Sequence, residues 1–170
     1  MFRVGDLVIY GRTGICEVVD VTTMDMAGVP KDKLYYILMP RQNKSGKIFT
    51  PVENGKVILR AVISKEEAES LIDCIPEIDV LWIANERMRE ASYKECLRNA
   101  KCEDYVRIIK TLYIRKQERL AMGKRITATD EKYLKLAESS LYSELSLVLG
   151  IPESEMESYL IEKIEQKSRQ

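Results

Sequence analysis

Val57-Ile58-Leu59-Arg60-Ala61-Val62-Ile63-Ser64-Lys65-Glu66-Glu67-Ala68 decides how the chain is read, because the periodicity of the sequence changes inside it. Up to Arg60 the apolar residues come in short runs closed by glycine and proline, as in strands. From Ser64 the pattern belongs to a helix start. Ser64 and Glu67 have capping-box spacing, in which the serine hydroxyl accepts the Glu67 amide and the glutamate reaches back to the serine amide. A short acidic helix follows to about Cys74, where Pro76 interrupts it. The expectation is an α+β chain of two domains, residues 1–62 and 63–170.

Working towards the N-terminus, five strands are expected. They are Leu7–Tyr10, Ile15–Met24, Leu34–Met39, Lys47–Thr50 and Val57–Arg60. Gly11-Arg12-Thr13-Gly14, Ala27-Gly28-Val29-Pro30, Asn43-Lys44-Ser45-Gly46 and Asn54-Gly55 are the turns between them. Short strands with glycine turns imply a small five-stranded barrel or strongly bent sheet.

Working towards the C-terminus, a compact all-α domain of four to five helices is expected. One helix is expected over Val80–Leu97 and a second over Glu103–Leu120, with Val106, Ile109, Leu112 and Tyr113 on one face. Gly123 ends the second. Thr127 or Thr129 caps a third, with Tyr133, Leu134, Ala137, Leu141, Leu145 and Val148 inward and Gly150 as its stop. Pro152 fits the first turn of a last, acidic helix that is expected to fray after Ile164.

The composition, 45% apolar and 32% charged, is that of a globular chain with a charged surface. No apolar run approaches the roughly 20 residues a membrane helix needs, and the N-terminus lacks a signal-peptide layout, so a cytoplasmic location is expected. Cys16, Cys74, Cys96 and Cys102 form no CxxC pair, and with no histidine in the chain they are expected as reduced thiols in or near cores rather than a metal site. No cofactor is expected: there is no Walker or GxGxxG motif, and the commonest general base is missing. An enzyme is not expected. Nothing demands a dimer, and a monomer is expected.

The net charge of zero conceals segregation. Residues 82–126 hold twelve Lys/Arg against six Asp/Glu, whereas residues 65–81 and 127–170 are acidic. A basic block inside a neutral chain points to a polyanion.

Three stretches resemble one family. Val4-Gly5-Asp6-x-Val8-x-Tyr10-x-x-x-Gly14 resembles the opening of the CarD family, and Thr50-Pro51-Val52-Glu53-Asn54 a Pro-x-x-Asn segment further along it. Lys110-Thr111-Leu112-Tyr113-Ile114-Arg115-Lys116-Gln117-Glu118-Arg119 is similar to its most recognisable helical stretch, followed by Asp130-Glu131-x-x-Leu134-x-x-Ala137-Glu138-x-x-Leu141. The resemblance implies a Tudor-like N-terminal domain that docks on the β subunit of bacterial RNA polymerase. It further implies a helical domain that contacts promoter DNA at the upstream edge of the melted bubble and stabilises the open complex, with a tryptophan wedged into the minor groove.

Trp82 is the only tryptophan of the chain. Read from its neighbours Val80, Leu81 and Ile83 it is a packing residue; read with the resemblance it is the wedge. Arg87, Arg89, Lys94, Arg98, Lys101, Arg115, Lys116, Lys124 and Arg125 are candidate phosphate contacts, with Arg107, Lys110 and Arg119 in the same basic block. The competing reading is a solvated surface of ion pairs, for which Glu86–Arg89, Glu90–Lys94 and Glu103–Arg107 are suitably spaced. On the first domain, candidate polymerase contacts are an open sheet edge with Met24, Arg41, Lys47, Phe49 and Pro51, and Lys44 nearby; Phe49 also suits the barrel core. The functional alternatives are a protein–protein adaptor and an RNA-binding module, neither touching promoter DNA.

Overall fold

The computed structural model describes residues 1–43, 46–53 and 55–170. The turns expected at Asn43-Lys44-Ser45-Gly46 and Asn54-Gly55 therefore fall partly outside the described residues, as does the contact expected at Lys44. The chain forms two compact units, Met1–Val62 and Ile63–Gln170.

The first unit is a five-stranded antiparallel sheet. Its strands are β1 (Leu7–Tyr10), β2 (Gly14–Thr23), β3 (Leu34–Pro40), β4 (Ile48–Pro51) and β5 (Leu59–Ala61). The spatial order is β4-β3-β2-β1-β5, so β4 and β5 are the edges and the sheet is open rather than a closed barrel. Between β1 and β2 the chain reverses through Gly14, whose φ of 87° and ψ of −142° are accessible essentially to glycine alone. The long strand β2 pairs Val18 with Leu38 and Asp20 with Ile37, so Val19 has no partner and forms a bulge. The extra residue has a purpose in packing. Val18 and Val21 are three apart and would otherwise face opposite sides, yet both pack on the core of Val8, Cys16, Val18, Tyr36 and Leu38. This is why the apolar alternation of the sequence is imperfect there. Tyr35 and Tyr36 do face opposite ways; Tyr36 is buried and its hydroxyl accepts the Phe2 amide at 3.0 Å.

The second unit contains five helices: α1 (Lys65–Cys74), α2 (Arg89–Cys96), α3 (Cys102–Ala121), α4 (Ala128–Leu149) and α5 (Glu153–Ser168). Both hydrogen bonds of the Ser64/Glu67 capping box are present. The buried stripe of α3 is Tyr105, Ile108 and Leu112 with Val106, so the expected face is corrected: Ile109 is only half-buried and Tyr113 lies outside. α4 is capped by Thr127, whose hydroxyl accepts the Asp130 amide, and ends at Gly150 with φ 70°. Its Tyr133, Ala137, Leu141 and Leu145 are buried as expected, with Leu134 and Val148 half-buried.

Four further expectations fail. The helix expected over Val80–Leu97 exists only as α2, after a single 3-10 turn at Glu86–Met88; residues 79–85 form neither helix nor strand and bend at Ala84. Pro152 is the N-cap of α5, one residue before the helix. Nor does α5 fray after Ile164: Lys167 bonds the Asp73 carbonyl and the Glu77 carboxylate (3.2 Å), which extends the helix to Ser168. Cys16 and Cys102 are buried, but Cys74 is exposed, against the expectation of core thiols.

Candidate functional site

The segment 79–85 carries Trp82 and is held open by one face of α3. Arg107, Lys110 and Thr111 are three and four residues apart, so they project from neighbouring turns of the same side. Each bonds the backbone that runs alongside. Arg107 Nε donates to the Asp79 carbonyl at 3.3 Å. The Lys110 ammonium donates to the carbonyls of Ile75 (2.8 Å), Pro76 (3.3 Å) and Ile78 (2.6 Å). The Thr111 hydroxyl accepts the Leu81 amide at 2.8 Å while donating to the Arg107 carbonyl at 2.7 Å. At the far end Asn85 caps the 3-10 turn by accepting the Arg87 amide at 3.0 Å. These bonds pair the backbone before and within the Trp82 segment with side chains of α3.

Leu81 and Ile83 are half-buried, whereas Trp82 between them is 82% exposed. Trp82 is thus not a core residue of its unit. A rigid backbone presenting a large, exposed aromatic is unusual, because such a ring normally contributes its area to a core.

Directly behind the segment lies a charged network. Glu86 receives Arg89 in a two-bond fork (3.0 and 2.9 Å) and Arg115 in a second (3.2 and 3.1 Å). Arg115 Nε also donates at 2.6 Å to Asp130, which is 1% exposed. Asp130 accepts a further bond from the Tyr93 hydroxyl at 2.8 Å, and that hydroxyl accepts from Arg89 at 2.9 Å. The two arginines beside Glu86, Arg89 foremost, hold its carboxyl down at about 2. Burial pushes the Tyr93 phenol up to about 12. The network ties the 3-10 turn and α2 to α3 and α4, and so fixes where the Trp82 segment ends.

The candidate cations therefore divide. Arg89, Arg107 and Arg115 have their guanidinium groups engaged inside the unit, as Lys110 has its ammonium. The spaced pairs Glu86–Arg89, Glu90–Lys94 and Glu103–Arg107 all form, at 2.9, 3.8 and 3.6 Å. Lys94 and Arg98 keep 54% and 72% of their side chains exposed, paired only with neighbours on the same segment. Among the described residues Arg87, Lys101, Lys116, Lys124 and Arg125 have no carboxylate at ion-pair distance, and all but half-buried Lys116 are exposed. Lys124 and Arg125 lie in the loop between α3 and α4, anchored where Arg119 Nε donates to the Arg125 carbonyl at 2.8 Å. Arg87, Lys94, Arg98 and Lys101 do not share one helix, since α2 contains only Lys94 of the four. Glu86, Thr111 and Asp130 are not site candidates on sequence: apart from the local Glu86–Arg89 pair, the partners that build the network lie 15 to 37 residues away.

On the sheet unit, β4 pairs only with β3 among the described residues, so one of its backbone edges is open. Phe49 is 50% exposed, while its neighbour Thr50 is buried, so Phe49 is not in the core. Arg41 and Lys47 are exposed and flank the β3–β4 connection. Pro51 is half-buried at the other end of β4, where it pairs with Tyr35. Half-buried Met24 follows Thr23, which pairs with Leu34 at that same end of β3, so Met24 is not brought beside Arg41 and Lys47.

The sheet unit thus presents an open edge with an exposed aromatic, and the helical unit presents exposed cations without an ion-pair partner among the described residues. Residues 2–63 match the family model described as the CarD-like/TRCF RID domain. The match spans the N-terminal unit alone and indicates an RNA polymerase-interacting domain there. No curated protein matches the chain. No helix among the described residues is long and apolar enough to cross a membrane.

Proposed function

We propose that this protein is a bacterial transcription regulator, cytoplasmic and monomeric. It docks on the RNA polymerase β subunit through its N-terminal unit and meets promoter DNA at the upstream edge of the bubble through its helical unit, stabilising the open complex. Trp82 carries the DNA part of the reading: an 82% exposed indole on a backbone clamped at three points. A wedge between bases costs a few kcal/mol of unstacking, so it is favoured where the duplex is already opening. Arg87, Lys94, Arg98, Lys101, Lys116, Lys124 and Arg125 add phosphate contacts that position without reading sequence. Arg89 and Arg115 instead hold the Trp82 segment. Tethering through the sheet unit raises the local concentration of these weak contacts. Better binding to the open fork than to duplex then shifts the equilibrium by the difference in affinity, on the order of 1–3 kcal/mol.

Polymerase docking is assigned to the open β4 edge, with Phe49 as the apolar contact and Arg41 and Lys47 beside it; Met24 and Pro51 lie at its far end. In binding of the full chain to the cognate polymerase, Phe49→Glu is expected to weaken the complex at least tenfold, at about 1.4 kcal/mol per decade. Unchanged binding would remove β4 as the docking edge. A purely protein-binding adaptor has one observation in its favour, since Arg89, Arg107, Lys110 and Arg115 are all occupied within the protein. It predicts that binding to upstream-fork DNA is undetectable, where the proposal predicts weak binding that falls steeply with salt.

A further inference from the structure

On another part of the helical unit, α3, α4 and α5 leave a cavity of about 300 Å³. Val106, Ile109, Leu141, Leu160 and Ile164 form its apolar floor and walls. Two phenol rings, Tyr113 and Tyr142, line it as well, and Tyr113 is 57% exposed. Two carboxylates, Glu138 of α4 and Glu157 of α5, belong to the same lining and repel one another, an effect that Lys116 partly offsets at Glu138. Among the described residues neither has a cation at ion-pair distance. The one lysine of the lining, Lys110, has its ammonium turned to three backbone carbonyls. Burial raises the Glu138 carboxyl, and the Tyr142 phenol is raised by burial first and then by both glutamates.

An apolar pocket of this size with a few convergent polar groups is the usual form of a small-molecule site. Its polar groups here are two carboxylates, which attract a cation and repel an anion, and two phenols, whose ring faces and oxygens also accept a cation. We infer that the cavity binds a small amphiphilic amine: an ammonium group between Glu138 and Glu157, flanked by Tyr113 and Tyr142, and a hydrocarbon body against Val106, Leu141 and Leu160. A bound ammonium neutralises two like charges that the fold holds together, and its apolar body covers surface that is otherwise wet. Trp82 is not part of the lining.

The test compares 4-phenylbutylamine with 4-phenylbutan-1-ol, which differ only in ammonium against hydroxyl. Binding to the full-length protein is followed by the methyl NMR shifts of Leu141, Leu160, Ile161 and Ile164. The amine is expected to bind about tenfold or more tighter than the alcohol, as a charge-assisted bond should give. The double variant Glu138→Gln/Glu157→Gln keeps the shape of the lining and is expected to bind both compounds alike. Equal binding of both compounds to the native protein, or an amine preference that survives in the double variant, overturns the assignment of the cation. Absence of shifts at these methyls with either compound overturns the site.

Discussion

Replacing Arg115 by methionine separates the two roles this residue can have. Its guanidinium bonds Asp130 at 2.6 Å and Glu86 at 3.1 Å, and the side chain is 19% exposed while that of Asp130 is 1% exposed. Removing one partner of a buried ion pair leaves an uncompensated charge and costs about 3–5 kcal/mol. Here the lower end applies, because Arg115 reaches solvent and Tyr93 still donates to Asp130. The expected loss is about 3 kcal/mol, equivalent to at least roughly 10 °C in the melting temperature of a unit this size. Urea unfolding followed by far-UV circular dichroism reads it, because the helices dominate that signal. Arg115→Met/Asp130→Asn is expected to recover part of the loss, since it removes both charges together. If Arg115 were chiefly a phosphate contact, Arg115→Met would leave stability alone and lower the salt slope of DNA binding by about one. A destabilisation below about 1 kcal/mol would refute the buried-pair reasoning.

Thr111→Val keeps shape but removes the acceptor of the Leu81 amide, a cost on the order of 1 kcal/mol confined to the Trp82 segment. Hydrogen exchange at Leu81 should rise several-fold while the helices stay as protected as before; unchanged exchange would mean that the clamp does not hold the segment. The Glu86 carboxyl sits at about 2 against an ordinary 4.5, so its contribution to stability is complete above pH 4.5 and is lost as the pH falls towards 2. Glu86→Gln should flatten that part of the pH–stability curve, by a modest amount that shrinks with salt because Glu86 is largely exposed; an identical curve for the variant would contradict the role. Ser64→Ala deletes one half of the capping box and should cost about 1 kcal/mol in urea unfolding, with no change in binding to the polymerase.

Much of the architecture could be read from short-range chemistry. The capping box at Ser64, the stop at Gly150 and the inward stripe of α4 are signals carried by residues within a turn or two of one another. The strands were legible in number and, to within two residues, at their ends, and the bulge at Val19 accounts for the broken alternation within β2. Where the reading failed, distant residues had decided the outcome. Val80 to Ile83 look like the start of an apolar helix. Instead, Arg107, Lys110 and Thr111, some thirty residues along the chain, bond the backbone there and just before it, outside any helix. The same holds for the cations. A count of Lys and Arg cannot tell Arg125, which is exposed, from Arg115, whose partners Glu86 and Asp130 lie 29 and 15 residues away. Asn85, which caps the 3-10 turn, was the one local sign that the helix begins later.

The most direct test of the central claim is the lifetime of the open complex formed by the cognate polymerase on a promoter fragment, measured without the protein, with the native protein and with Trp82→Ala. The native protein is expected to lengthen the lifetime about five- to 150-fold, the span of a 1–3 kcal/mol coupling. Trp82→Ala should lose most of that gain while binding the polymerase as before, because an 82% exposed side chain supports little of the fold. Equal lifetimes with native and variant protein would contradict the wedge, and no effect from either would contradict the proposed function.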